Sequence, residues 1–203
     1  MTPISNNDEA AYLVSVGILT KWHSKTLSEY DNDTVALKKV KDYIDNFKEF
    51  KDDGVGLFLY GFNGTGKSHL LNCAFKQLLH KRQKVQIISF YDLITNFVDG
   101  WYDTDKRAVL NSYKNADFLA IEEIGKEFQS KNSELALTVF DNILRYRIQM
   151  LKPTWFTSNK KPNDIASLYS EDVASMLREG TIAVNVIGDD YRTKIHQENK
   201  KRL

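Results

Sequence analysis

The run Val55-Gly56-Leu57-Phe58-Leu59-Tyr60-Gly61-Phe62-Asn63-Gly64-Thr65-Gly66-Lys67-Ser68 decides the fold. Val55 to Tyr60 is a short apolar stretch that reads as a buried strand opening onto a glycine-rich turn. Gly61 to Ser68 fits G-x-x-x-x-G-K-[ST]. A bound phosphate needs converging backbone N–H groups with no side chains in the way, and glycine supplies the bare backbone. Ser68 to Arg82 then repeats Leu70, Leu71, Ala74, Phe75, Leu78 and Leu79 at helical spacing, so a helix N-terminus faces the same anion. Lys67 would reach the β- and γ-phosphates, and the Ser68 hydroxyl would ligate Mg²⁺. The nucleotide contacts expected on this reading are Gly61, Asn63, Gly64, Thr65, Gly66, Lys67, Ser68 and His69.

Outward from the loop, strands alternate with helices. Asp33 and Thr34 can cap a helix whose apolar positions run from Ala36 to Phe50, and Asp52-Asp53-Gly54 stops it. Val85 to Phe90, Asp117 to Ile121, Thr154 to Ser158 and Thr181 to Ile187 read as further strands. Between them lie helical patterns over 91–114, broken near Gly100, over Glu134 to Met150, and over Ile165 to Leu177 with a break at Tyr169-Ser170. The strands lack strict polar alternation, which predicts an α/β fold with a parallel sheet covered on both faces. Residues 1–32 read as an N-terminal arm, and the domain as 33–203. Within the arm, Val16-Gly17-Ile18-Leu19 is an apolar patch suited to docking or to packing.

Phe118-Leu119-Ala120-Ile121-Glu122-Glu123 delivers two carboxylates to the end of a strand. A phosphate loop needs a second Mg²⁺ anchor and a base for the attacking water. Glu122 would hold the metal shell and Glu123 would orient or deprotonate the water. Neighbours on a regular strand point to opposite faces, which predicts different roles for the pair. Thr157-Ser158-Asn159 ends the next strand, where a polar side chain can contact the γ-phosphate or the water, or simply serve the turn.

The 203 residues suit one domain, and the 42% hydrophobic fraction supports a real core. Lys+Arg is 28 against Asp+Glu 27, which excludes a bulk polycation. The excess is local: residues 1–60 are acidic, 61–116 basic and 117–203 balanced. The single Cys73 excludes an intrachain disulfide and a multi-cysteine zinc site. The start is polar and no apolar run spans a membrane, so a soluble cytoplasmic chain is expected.

Together these stretches resemble the AAA+ domain of bacterial replicative-helicase loaders, the DnaC and DnaI group, and the related IstB transposition ATPases. The resemblance is carried by Leu57 to Leu70, Ile121-Glu122-Glu123-Ile124-Gly125, Pro153 to Asn159, and Asp189-Asp190-Tyr191-Arg192. It implies a five-stranded parallel sheet in the order 5-1-4-3-2, with Lys67 and Ser68 as Walker A and Glu122 and Glu123 as Walker B. Asn159 would be sensor 1 and Arg192 sensor 2. It further implies ATP or ADP with Mg²⁺ as ligands, self-assembly through the nucleotide interface, single-stranded DNA, and a hexameric replicative helicase as partner. The setting would be the bacterial cytoplasm, for a host or a phage protein. The insertion between the second and third strands would contribute DNA contacts, here Tyr91, Trp101, Lys106, Arg107 and Lys114.

Three features depart from that pattern. Glu122 stands where the family usually has aspartate. Ala174-Ser175-Met176-Leu177 has methionine at the position of the family's arginine finger, with Arg178 two residues on. The loaders' N-terminal partner-binding domain is expected to be largely absent, with residues 1–32 as a short arm in its place. An ATPase that loads a helicase is the leading expectation, beside a nucleotide-gated adaptor with little turnover and an IstB-like transposition helper.

Overall fold

Alternate residues of the central strands feed two separate apolar layers, and this fixes the architecture. In the computed structural model, residues 6–100, 104–126 and 133–201 are described. The chain runs α1 (Asn6–Ser15), two 3₁₀ turns (Thr20–Trp22 and Leu27–Glu29), α2 (Thr34–Asp45), α3 (Phe47–Asp52), β1 (Gly56–Tyr60) and α4 (Lys67–His80). It continues through β2 (Val85–Ser89), α5 (Phe90–Gly100), α6 (Thr104–Asn115), β3 (Phe118–Ile124) and α7 (Ser133–Gln149). It closes with β4 (Thr154–Ser158), α8 (Pro162–Leu168), α9 (Glu171–Gly180), β5 (Thr181–Asn185) and α10 (Tyr191–Lys200). The strands form one sheet in the order β2-β3-β4-β1-β5, and every neighbouring pair is parallel. This is the sheet and strand order that the sequence implied.

Leu57, Leu59, Ala120 and Trp155 face a layer built from α2 and α4, packed on Tyr43, Leu71 and Phe75. Phe58, Leu119, Ile121 and Phe156 face the opposite layer, with Phe90 from α5, Phe140 from α7 and Val173 from α9. Burying a large apolar side chain this completely contributes ~1.5–3 kcal/mol. The absence of polar alternation in these strands follows from cover on both faces.

Two polar side chains tie elements together at opposite ends of the sheet. Asp33 is 5% exposed and caps α2 by accepting from Val35 N and Ala36 N. Its other oxygen accepts from Ile187 N at 2.9 Å, fixing the chain that leaves β5. Arg147 of α7 is fully buried and donates to Thr154 Oγ1 and to the carbonyls of Tyr113, Lys114, Ala116 and Pro153 at 2.7–3.1 Å. Burial pushes its guanidinium down to about 9. It joins α6, α7 and the starts of β3 and β4.

The arm lies on the domain. Val16 and Ile18 are buried, and Val16 O accepts from Ile87 N at 2.8 Å, covering part of the β2 edge. A Cβ on Gly17 would lie 1.9 Å from Ile87 O, so only glycine permits that approach. The apolar patch of the arm is therefore packing, except for Leu19, which is 60% exposed. Among the described residues no helix is long and apolar enough to cross a membrane.

Candidate nucleotide-binding site

The sheet's C-terminal edge carries a cavity of about 400 Å³ lined by Gly64, Lys67, Ser68, Glu123, Asn159 and Arg192, among others. Of the expected site residues, Asn63, Gly64, Gly66, Lys67, Ser68, His69, Glu123, Asn159 and Arg192 line it, and Gly61, Thr65 and Glu122 do not. Gly66 precedes α4 in the left-handed region at φ +97°, and a Cβ there would lie 2.4 Å from Tyr30. Thr65 is buried, with its Oγ1 donating to Phe62 O. Lys67 Nζ folds onto its own loop, donating to Gly61 O at 2.8 Å and Phe62 O at 2.7 Å. Burial first, then the charges of Lys126 and Arg192, push this ammonium down to about 8, against the opposing pull of Glu123.

Ser68 Oγ donates to Glu122 Oε1 at 2.6 Å, so the two expected metal anchors already meet. The extra methylene of Glu122, relative to aspartate, is taken up in reaching that hydroxyl. A hydroxyl and one carboxylate beside a glycine-rich loop fit Mg²⁺, which keeps several waters and takes few protein ligands. Burial raises the Glu122 carboxyl above the usual range, and the Ser68 bond opposes this. Mg²⁺ bound there would stabilise the carboxylate form.

The strand carrying the carboxylates is not regular, yet the two still have different surroundings, Glu122 on Ser68 and Glu123 on Lys126. Ile121 pairs with Phe156, and Ile124 with Ser158, so three steps along β3 match two along β4. Glu123 sits at the bulge with φ +65°. The irregularity keeps Ile121 and Ile124 in one apolar layer. It also brings Glu123 to the cavity that holds Ser68, the partner of Glu122. Thr157 Oγ1 accepts from Glu123 N at 3.0 Å, and Ser158 Oγ donates to Ile124 O at 2.8 Å. Those two polar residues of β4 hold the bulge, while Asn159 Nδ2 donates to Asn63 Oδ1 of the phosphate loop at 2.8 Å. Glu123 Oε1 pairs with Lys126 Nζ at 2.8 Å, both about half exposed, a geometry worth little in stability.

Arg192 opens α10 beside the loop. Tyr191 N donates to Gly64 O, and Arg192 N donates to Asp190 Oδ1. The remaining wall comes from the arm, which sequence reading had set apart from the site. Lys21, Trp22, Lys25, Glu29 and Asp31 line the cavity. The His69 ring lies 5.9 Å from that of Trp22 and 5.6 Å, edge-on, from that of Tyr30, and Tyr30 Oη donates to Thr65 O. The aromatic residues Trp22 and Tyr30 were the available signal for this wall, but nothing in their spacing marks a site.

The expected DNA contacts divide. Tyr91, on the first turn of α5, is 75% exposed. Lys114 rests on α7, its Nζ donating to Asn142 Oδ1 at 2.7 Å and lying 5.4 Å from the Tyr146 ring. Trp101 lies outside the described residues, and so do the side chains of Lys106 and Arg107, which belong to α6. Met176 packs in the core at 9% exposure, and Arg178 pairs with Glu171 at 2.6 Å.

A parallel sheet in this order, with a phosphate loop after its first strand and carboxylates at the end of its third, defines an AAA+ nucleotide-binding domain. Residues 35–184 match the bacterial DnaA ATPase domain model, and the chain belongs to that family. It is 29% identical over 164 residues to the replicative helicase loader DnaC of Escherichia coli K12, covering 79% of this chain and 64% of that protein. The chain thus spans just under two thirds of that relative's length. The crystal structure of the DnaC helicase loader superposes with a TM-score of 0.73 at 22% identity, covering 83% of this chain and 99% of the other. The replication initiator DnaA bound to AMPPCP and single-stranded DNA superposes at 0.69 with 24% identity, covering 92% and 56%. At these identities the two superpositions establish the fold.

Proposed function

We propose that this chain binds and hydrolyses Mg-ATP in the cavity and uses the nucleotide state to place a hexameric replicative helicase on single-stranded DNA in the bacterial cytoplasm. The observation that carries the nucleotide reading is the convergence of Lys67, Ser68, Glu123, Asn159 and Arg192 on one cavity, with Glu122 bonded to Ser68 behind it. The loader role is supported by similarity to DnaC, and the DNA contact by the DnaA structure bound to single-stranded DNA. On this reading the bare loop amides and the α4 N-terminus bind the phosphates, and Lys67 exchanges its two carbonyl partners for phosphate oxygens. Ser68 and Glu122 hold Mg²⁺, which would neutralise phosphate charge. Glu123 orients the attacking water, and Asn159 connects that water to the phosphate loop.

The test is capture of a purified hexameric replicative helicase by the full chain in ATP and in ADP. Nucleotide-dependent capture, lost in Lys67→Ala, supports the reading. Equal absence of capture in every nucleotide state sinks the loader role. A second reading, a nucleotide-gated adaptor with slow turnover, draws on one observation. Met176 is in the core and Arg178 is paired with Glu171, so this helix presents no unpaired guanidinium at the finger position. Rapid turnover by the unmodified chain would exclude it.

A further inference from the structure

We infer that Lys76 is a positioning residue for the nucleotide site, fixing through three backbone carbonyls the strap of residues 20–29 that walls the cavity. The inference rests on the nucleotide reading above. Lys76 lies on α4, more than two turns beyond Lys67. Its Nζ donates to Trp22 O at 2.7 Å, to His23 O at 2.9 Å and to Lys25 O. An ammonium has three donors, and all three are spent on one stretch, at the end of the first 3₁₀ turn and just after it. His69 Nε2 meets Thr26 O at 2.8 Å, a second hold on the same segment. His69, Cys73 and Lys76 stand four and three residues apart, so they share one face of α4.

The strap has local holds around Thr26, where Glu29 closes a capping box and pairs with Lys25, and Lys76 adds the hold on its first half. It contains two three-residue 3₁₀ turns. Several of its internal backbone bonds are long, at 3.2–3.3 Å for His23 N, Lys25 N, Glu29 N and Tyr30 N. Trp22, Lys25 and Glu29 nevertheless line the same cavity as Gly64, Lys67 and Ser68, and on this inference they receive the nucleoside when the phosphates occupy the loop. Moving the strap therefore alters recognition of the nucleoside first, because the phosphate loop keeps its own holds from Thr65 Oγ1 on Phe62 O and from Tyr191 N on Gly64 O.

Cys73 reports on the strap directly. It is 2% exposed and borders a groove with His23, Lys25, Thr26 and Leu27. Burial also pushes its thiol up to about 11, which slows reaction with thiol reagents. The experiment compares the full chain with Lys76→Met and Lys76→Gln. It reads the labelling rate of Cys73 by a chromogenic disulfide, the Kd for ATP, and the Kd for inorganic tripolyphosphate, which offers no nucleoside.

In Lys76→Met we expect labelling at least tenfold faster, ATP binding at least tenfold weaker, and tripolyphosphate binding within twofold of the unmodified chain. Lys76→Gln keeps an amide donor and should fall between them, and it carries the test if the methionine variant does not fold. Unchanged labelling overturns the clamp. Equal weakening of ATP and tripolyphosphate reduces Lys76 to a structural residue and overturns the positioning role. If the unmodified chain binds no nucleotide, the positioning role falls with the nucleotide reading, and the labelling rate still decides separately whether Lys76 holds the strap.

Discussion

Nucleotide affinity should fall as pH rises through 8, because Lys67 must be charged to bind phosphate. In the free protein, burial and two neighbouring cations push its ammonium down to about 8. A bound triphosphate removes that penalty and raises the same group, so binding takes up a proton wherever free Lys67 is neutral. The sign is then fixed: affinity is fully present below the free-state value and is lost as pH rises above it. Free Lys67 would be about nine-tenths charged at pH 7 and about one-tenth at pH 9, which weakens binding by up to about tenfold. Solvent access to this half-buried group trims the effect, so tenfold is an upper bound. The terminal phosphate, with its last pKa at about 6, gains a little charge above pH 7, which acts against the predicted loss and does not produce it. The assay is anisotropy of a fluorescent ATP analogue at constant ionic strength between pH 7 and 9. Lys67→Arg supplies the control, because a guanidinium stays charged throughout. A flat profile in the unmodified chain, or the same slope in Lys67→Arg, would refute the assignment to Lys67.

Glu123→Gln keeps the size of the side chain and removes the base, so ATP turnover should fall by about 10²–10⁴-fold with ATP affinity retained, read by phosphate release and titration. Arg147→Met should cost at least about 3 kcal/mol of stability in urea unfolding, because it strips partners from a buried hydroxyl and buried carbonyls. Tyr91→Ala should weaken single-stranded DNA binding by about 1–3 kcal/mol, the value of one stacked base, with ATP affinity unchanged.

The phosphate loop was legible because its chemistry demands particular residue types at fixed spacing, and the structure adds only where Lys67 rests. The alternation of strands and helices was legible in the apolar runs, whereas strand order came with the family resemblance and not from periodicity. The two carboxylates at the end of β3 were legible as a pair with different surroundings, whereas the bulge between them was not. A bulge is one extra residue whose cause, the bonds from Thr157 and Ser158, lies on another strand. Trp22 and Tyr30 were missed because the arm reaches the cavity through tertiary contacts made by His69 and Lys76. Arg147 gave no signal, since its partners are mainly backbone carbonyls, which carry no sequence identity. Met176 was placed by analogy at a finger position, and the amphipathic phase of α9 turns it into the core.

Calorimetric titration of Mg-ATP into the full chain and into Lys67→Ala tests most directly whether this cavity is a nucleotide site. One site per chain is expected, weakened at least about 100-fold in the variant by loss of a charge-assisted phosphate contact. Absence of binding by the unmodified chain, or equal affinity in the two proteins, would contradict it.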